Sequence, residues 1–250
     1  MITNLKVDKL TQIAQHAGKI IMQIYDDSDI GVEIKSDNSP VTKADLAAND
    51  YIVTELTKVH PEIEIISEEK TNKTGKIDKF FLVDPLDGTK SFIKKTGQFT
   101  VNIGYIEYGQ AIAGVIYVPA QNVTYYSDGN NSYKIDANGN ITQINCVRPE
   151  QTTIIVASAS HRTAETDEYI NNVDGKTELI SAASSLKFCK VAEGAAHLYP
   201  RFGRTMEWDT AAGQAILQAA GGKVLTPNGE PFLYNKNDDW DNGWFIASCG

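Results

Sequence analysis

Phe80-Phe81-Leu82-Val83-Asp84-Pro85-Leu86-Asp87-Gly88-Thr89 is the stretch at which the chain changes character. Its first four residues form a short apolar run, the pattern of a strand buried on both faces of a sheet. Upstream the apolar period is helical. Leu10, Ile13, Ala14, Ala17, Ile21 and Ile24 recur at steps of three and four and predict an amphipathic helix, ended by Asp26-Asp27-Ser28-Asp29. Ser36-Asp37-Asn38-Ser39-Pro40 has the composition of a loop. A second helix is expected over about 43–58, with Ala44, Ala48, Tyr51, Ile52, Leu56 and Val59 on one face. Pro61 then opens an extended piece from Ile63 to Ile66.

Downstream of the stretch the period falls to two. Phe99, Val101, Ile103 and Tyr105 alternate with polar or small residues, and Glu107-Tyr108-Gly109-Gln110 predicts a turn into a second strand over 111–118. Val123–Ser127 and Ser132–Ile135 flank Asp128-Gly129-Asn130-Asn131, a hairpin signal. After about residue 147 strands and helices alternate. Strands are expected at 154–157, 178–181, 195–199, 223–225 and 244–247, and helices at 164–172, 185–194 and 210–220. The polar interruption at 146–151, with Pro149, divides an α+β half, 1–147, from an α/β half, 148–250.

Composition narrows the function. A chain of 250 residues allows one large domain or two small ones, and 42% hydrophobic with 22% charged residues is ordinary for a globular fold. The 32 acids outnumber the 23 Lys and Arg, giving a net charge of −9 that argues against a nucleic-acid polymer or an anionic membrane as partner. Cys146, Cys189 and Cys249 are odd in number, scattered and without a C-x-x-C pair, which predicts reduced thiols in a cytosolic protein rather than a zinc site or disulfide framework. Met1-Ile2-Thr3-Asn4 lacks the basic start and apolar run of a secretory signal, and no apolar stretch approaches the roughly 20 residues of a membrane span. No repeat or low-complexity tract is visible.

The chemistry concentrates in acids at element ends. Asp84 and Asp87 follow the apolar strand, held by Pro85 in what reads as a rigid turn; Gly88 permits close backbone approach to a ligand, and Thr89 adds a hydroxyl. Lys90–Lys95 is expected to begin a helix whose free N–H groups face a phosphate. Ser67-Glu68-Glu69 is a second acidic cluster, which alone also reads as a helix N-cap with first-turn acids. Asp209, in Glu207-Trp208-Asp209-Thr210, stands where an N-cap belongs. Hard oxygen ligands such as Glu68, Asp84, Asp87 and Asp209 suit Mg2+, and two such ions can clamp the attacking and leaving oxygens of a displacement on phosphorus.

Asp84-Pro85-Leu86-Asp87-Gly88-Thr89 together with Trp208-Asp209-Thr210-Ala211-Ala212-Gly213 resembles the paired signature of the inositol monophosphatase superfamily, lithium-sensitive Mg2+-dependent phosphatases. Asn38–Asp45, Asp84–Lys94, Ser184–Cys189 and the run from Val191 to Gly203 resemble, within it, the CysQ-type 3′(2′),5′-bisphosphate nucleotidases. The resemblance covers essentially the whole chain. It implies a layered αβαβα sandwich of the inositol monophosphatase/fructose-1,6-bisphosphatase type. It implies one Mg2+ on Glu68, Asp84 and the Leu86 carbonyl, a second on Asp84, Asp87 and Asp209, and a weaker third near Glu68. Thr89 with Asp45 resembles the pair that activates the attacking water, and the N–H groups of Gly88 and Thr89 match those that hold the scissile phosphate. Ser184, Lys187 and Arg201 match positions that contact the second phosphate or the nucleoside, and His161 is placed to meet the adenine or ribose.

Each of the last three side chains also has a plainer reading: Lys187 as a solvated helix residue, Arg201 as a surface ion pair and His161 as a satisfied loop histidine. His16, His60 and His197 carry no role, and Trp208, Phe99 and Phe188 read as core. Inositol monophosphatases proper commonly have Thr-Asn-Phe and Pro-Trp-Asp where this chain has Lys90-Ser91-Phe92 and Glu207-Trp208-Asp209. The departure favours removal of the 3′-phosphate of adenosine 3′,5′-bisphosphate, giving AMP, in sulfur assimilation. An inositol or sugar phosphatase is the alternative, and an inactive phosphate-binding protein the non-enzyme one. The family context implies a cytoplasmic protein, in some members held peripherally on the inner face of the membrane.

Overall fold

The structure, a computed structural model, describes residues 5–27, 29–35, 39–71, 75–158, 162–235 and 239–250. Two helices come first, α1 (Val7–Tyr25) and α2 (Lys43–Val59), separated by the short strands β1 (Glu33–Ile34) and β2 (Pro40–Val41). Then follow β3 (Glu64–Ser67), β4 (Lys79–Asp87), α3 (Thr89–Ile93), β5 (Thr100–Glu107), β6 (Gln110–Val118), β7 (Val123–Ser127), β8 (Ser132–Ile135) and β9 (Ile141–Ile144). The remainder is β10 (Thr152–Ala157), α4 (Ala164–Asn171), β11 (Lys176–Ser181), α5 (Leu186–Ala192), β12 (Leu198–Arg201), α6 (Glu207–Ala219), β13 (Lys223–Leu225) and β14 (Phe245–Ser248).

Among the described residues β3 to β9 form a seven-stranded sheet in chain order, parallel only between β3 and β4. The second sheet has five strands in the order β11-β10-β12-β14-β13, with β10 parallel to both of its neighbours. The apolar run at 80–83 serves both faces of the first sheet. Phe81 and Val83 pack with Leu10, Ile13, Ile21, Ile52 and Leu56 of α1 and α2, while Phe80 and Leu82 join a core with Phe188, Trp208 and Ala211. Helices α5 and α6 lie between the two sheets, and α4 packs on β12. The layers are therefore helix, sheet, helix, sheet, helix, the expected αβαβα sandwich.

One close approach seats the helix that carries Asp209. Gly104 and Gly114 face each other across β5 and β6. A Cβ on Gly104 would lie 2.6 Å from the Ala211 Cβ, and one on Gly114 would lie 2.7 Å from the Ala212 Cα. Only glycine lets α6 rest directly on the sheet.

Four local expectations need correction. The Asp84–Asp87 segment is not a turn after the strand but its bulged continuation. Ser67-Glu68-Glu69 opens no helix; the chain turns back at once, with Lys70 N–H on the Ser67 carbonyl at 3.1 Å. Helix α6 begins one turn before the position expected of it, so Asp209 is its third residue and Met206 its N-cap. Strand β9 is missing from the pattern because its first three residues are exposed and impose no alternation.

Candidate active site

The bulge in β4 follows from its sequence. Asp84 pairs with Asn102 and Asp87 with Thr100, so β4 spends one residue more than β5 over this interval. Pro85 has no N–H to give the ladder, and the extra residue absorbs that loss while turning both aspartates towards one cleft. The Leu86 N–H donates to Asp84 Oδ1 at 3.1 Å. Gly88 then caps α3 with φ +95°. A Cβ there would lie 2.3 Å from Ser184 Oγ, so both the dihedral and the space demand glycine.

Thr89, the first residue of α3, joins a second element end. At the start of α2, Asp45 Oδ2 accepts from the Thr42 N–H at 2.7 Å and the Thr42 hydroxyl at 2.6 Å, a reciprocal cap. Its other oxygen accepts from the Thr89 hydroxyl at 3.1 Å, with the Leu86 carbonyl at 3.3 Å from the same hydroxyl. Asp45 is buried. Burial pushes its carboxyl above the ordinary range, the Thr42 and Thr89 hydrogen bonds pull the other way, and the Glu68 charge adds to the rise.

Burial also dominates the other acids. Asp84 is 1% exposed. Its carboxyl is held well above the usual range, first by burial and then by the charges of Glu68, Asp87, Asp209 and Asp45. Asp209 is raised likewise by burial and by Asp87, although its carboxylate accepts from the Met206 N–H at 2.9 Å. Glu68 is raised by burial against the opposing pull of Lys35, whose ammonium bridges Glu68 at 2.8 Å and Glu69 at 2.7 Å. Asp87 is gripped from the second half of the chain. Its Oδ2 accepts from the Ser185 N–H and the Ser185 hydroxyl, both at 2.7 Å. The Asn102 amide in turn donates to Ser185 Oγ at 2.6 Å.

A cationic group stands beside the acids. Lys187 is 6% exposed, not the solvated helix residue its sequence position also allowed. Its ammonium donates to the Ser184 carbonyl at 2.6 Å and lies 5.3 Å from the Tyr199 ring centre. Burial brings its pKa down to about 8, with nearby Arg201 lowering it further and Asp87 and Asp209 opposing the fall. Arg201, at the end of β12, donates to the Arg204 carbonyl at 3.1 Å. Ser184, at φ +55°, has its hydroxyl 3.0 Å from the Asp87 carbonyl and 3.2 Å from that of Gln98.

A single cleft of about 530 Å³ is lined by Glu68, Asp84, Leu86, Asp87, Gly88, Thr89, Ser184, Lys187, Arg201 and Asp209. Asp45 sits behind Thr89, and His161 lies outside the described residues. Sequence reasoning passed over Ser185, Asn102 and Lys35. Asn102 carries no motif, and Ser185 lies in the Ser184–Cys189 stretch without a role assigned to it there; the two matter through their contacts with Asp87, Asp209 and each other, and Lys35 through its ion pairs with Glu68 and Glu69. Trp208, Phe99 and Phe188 are core residues, as expected, and His197 accepts from the Ile154 N–H at 2.8 Å.

The donor set fits a hard divalent cation. Several carboxylates are buried together and raise one another's affinity for positive charge, a cost that a bound cation removes. Among the described residues no group of three acid, His or Cys side chains is arranged to hold a metal unaided. Mg2+ makes no such demand, because it keeps several waters and takes substrate phosphate oxygens into its shell.

Residues 4–239 match the Inositol monophosphatase family. The 3′(2′),5′-bisphosphate nucleotidase CysQ of Escherichia coli K12 is 44% identical over 246 residues, 97% of this chain and 99% of that protein. CysQ of Haemophilus influenzae is 32% identical over 250 residues, 96% and 91% of the two chains. The crystal structure of CysQ from Bacteroides thetaiotaomicron, a bacterial member of the same family, superposes with a TM-score of 0.87 at 37% identity, covering 100% of this chain and 99% of that one. The sandwich, the two motifs meeting in one cleft and a match running nearly end to end agree: the chain belongs to the inositol monophosphatase family.

Proposed function

We propose that the protein is a 3′(2′),5′-bisphosphate nucleotidase that removes the 3′-phosphate of adenosine 3′,5′-bisphosphate, giving AMP and phosphate, in sulfur assimilation. The observation that carries this reading is one cleft that combines an acid cluster suited to Mg2+ with the buried Lys187 and with Arg201. A monophosphate needs only the acids; a second phosphate needs the cations, Arg as a planar fork and Lys as a point charge. The named CysQ relatives act on such bisphosphates. Residues 1–147 supply most of the acids, and 148–250 supply Asp209 and the recognition residues.

Glu68, Asp84, the Leu86 carbonyl, Asp87 and Asp209 would hold two Mg2+, with a third near Glu68. When bound, Mg2+ supplies Lewis-acid activation of the attacking water and charge neutralisation at the phosphate. Asp45 fixes the Thr89 hydroxyl as a donor towards itself, which leaves the Thr89 oxygen free to accept from water. A hydroxyl is too weak a base to act alone, so the water's proton passes to Thr89 as the Thr89 proton moves to Asp45. The raised proton affinity of buried Asp45 favours that direction. The N–H groups of Gly88 and Thr89 hold the phosphate oxygens, and Ser184, Lys187, Arg201 and His161 address the nucleotide.

No helix among the described residues is long and apolar enough to cross a membrane. The three cysteines are free thiols, which supports a cytoplasmic setting, with peripheral attachment to the inner face of the membrane as its variant. A phosphate-release panel decides the substrate. Adenosine 3′,5′-bisphosphate should be turned over faster than inositol 1-phosphate or fructose 1,6-bisphosphate at equal concentration, only with Mg2+ and with inhibition by lithium. A preference for inositol 1-phosphate would overturn the reading.

A further inference from the structure

Two of the three scattered cysteines come together outside the lining of the cleft. Cys146 follows β9 on the segment that leaves the first sheet, and its N–H donates to the Ala220 carbonyl, past the end of α6, at 2.8 Å. Cys249 follows β14, the strand between β12 and β13, and its N–H donates to the His197 carbonyl at 3.1 Å. Both reach the turn after α5. The Cys249 thiol lies 3.7 Å from the Val191 carbonyl and 3.6 Å from the Ala196 carbonyl. Val147, next to Cys146, packs on Gly194 of the same turn, its side chain 2.6 Å from where a Cβ would stand. The two thiols are neighbours at this turn, close enough for each to perturb the other. Cys146 is half-buried and Cys249 buried, and both are free thiols.

We propose that Cys146 and Cys249 form a reversible disulfide, a covalent modification site that ties the segment leaving the first sheet to the end of β14 in the second. With a hydroperoxide as oxidant, the thiolate sulfur of one cysteine of the pair attacks the peroxide oxygen, the O–O bond breaks, an alcohol (water, for hydrogen peroxide) leaves and the attacking sulfur becomes a sulfenic acid. The second thiol sulfur then attacks the sulfenic sulfur, the S–O bond breaks and the departing hydroxide leaves as water with the proton lost by that thiol. Two equivalents of a low-molecular-weight thiol reverse the bond by exchange. Cys189, buried in the core and bonded to neither, stays reduced.

The test uses the whole protein treated with a small excess of hydrogen peroxide, then unfolded and alkylated. Wild-type protein should lose about 2 Da, the two hydrogens of one disulfide, retain one alkylatable thiol at Cys189, and yield a cross-linked Cys146–Cys249 peptide. Its Tm should rise by roughly 5–10 °C and fall back on addition of dithiothreitol. Cys146→Ser should show neither change while keeping the phosphatase activity of the reduced protein. Full alkylation of all three thiols after peroxide, oxidation to sulfinic acid without a cross-link, or a 2 Da loss that survives in Cys146→Ser would each overturn the proposal.

Discussion

The acid side and the cationic side of the cleft are built in opposite ways. Asp84, Asp87 and Thr89 lie within six consecutive residues, aimed by a proline-forced bulge and a glycine cap that belong to that stretch alone. Ser184, Lys187 and Arg201 come from a left-handed residue, a short helix and a strand end; Lys187 is tied locally to the Ser184 carbonyl, but nothing local sets Arg201 against them. The acids bury like charges against one another, whereas Lys187 is buried beside charges of the opposite sign. The acid side is seeded by one local stretch, onto which folding brings Glu68, Asp45 and Asp209 as like charges; the cationic side is tuned by burial beside opposite charges.

The sharpest way to break this contrast is Asp84→Asn. The reading assigns Asp84 to both ions, so phosphate release should fall roughly 1,000-fold or more. In the absence of Mg2+ the same substitution should raise Tm, because it removes a buried charge from among like charges. The pH dependence follows with a definite sign. Asp84, Asp209, Glu68 and Asp45 all bind protons more tightly folded than unfolded. The stability this gives is complete below the unfolded carboxyl range and is lost as pH rises through the folded values. Metal-free protein should therefore melt at lower temperature at pH 7.5 than at pH 5, and Mg2+ should restore more at the higher pH. Melting curves that rise with pH in chelator would contradict the cluster.

A smaller effect tests the seam between the two sides. Ser185→Ala removes one of three donors on Asp87 Oδ2 and should weaken Mg2+ binding by roughly 10–100-fold, read by calorimetry, with folding retained. The smallest effect isolates the cationic side. Lys187→Met keeps the packing and removes the charge, and should raise KM for adenosine 3′,5′-bisphosphate roughly tenfold with no change for inositol 1-phosphate. In wild type, that advantage of the bisphosphate should fade above pH 8, where the Lys187 ammonium loses its proton. An equal loss on both substrates would assign Lys187 to the acid side instead.

The same contrast explains what could be read in advance. Phe80–Val83 and the helical spacing of α1 and α2 fix their elements because burial on two faces or one leaves a periodic trace. Asp84–Thr89 was legible for a related reason: proline, glycine and carboxylates in sequence dictate their own geometry. Strand β9 left no trace because it is exposed, and the start of α6 was misplaced because Asp209 caps from inside the helix. Ser185 and Asn102 were invisible because a serine or an asparagine acquires a role only from what folding places beside it.

The net charge of −9 shows the same division. Composition disfavours a polyanion as partner, but it counts carboxylates without saying that several share one buried cleft, which the proposed function fills with a cation. Periodicity gives the helices, most strands and the two halves, since backbone propensity and hydrophobic spacing are local, while the two acidic motifs carry the resemblance that implies the sandwich and the family. Folding alone brings Ser185 onto Asp87, buries Lys187 beside Arg201, and joins Cys146 to Cys249 across about a hundred residues of chain. Contacts at that separation depend on how layers pack, and packing is a property of the whole molecule.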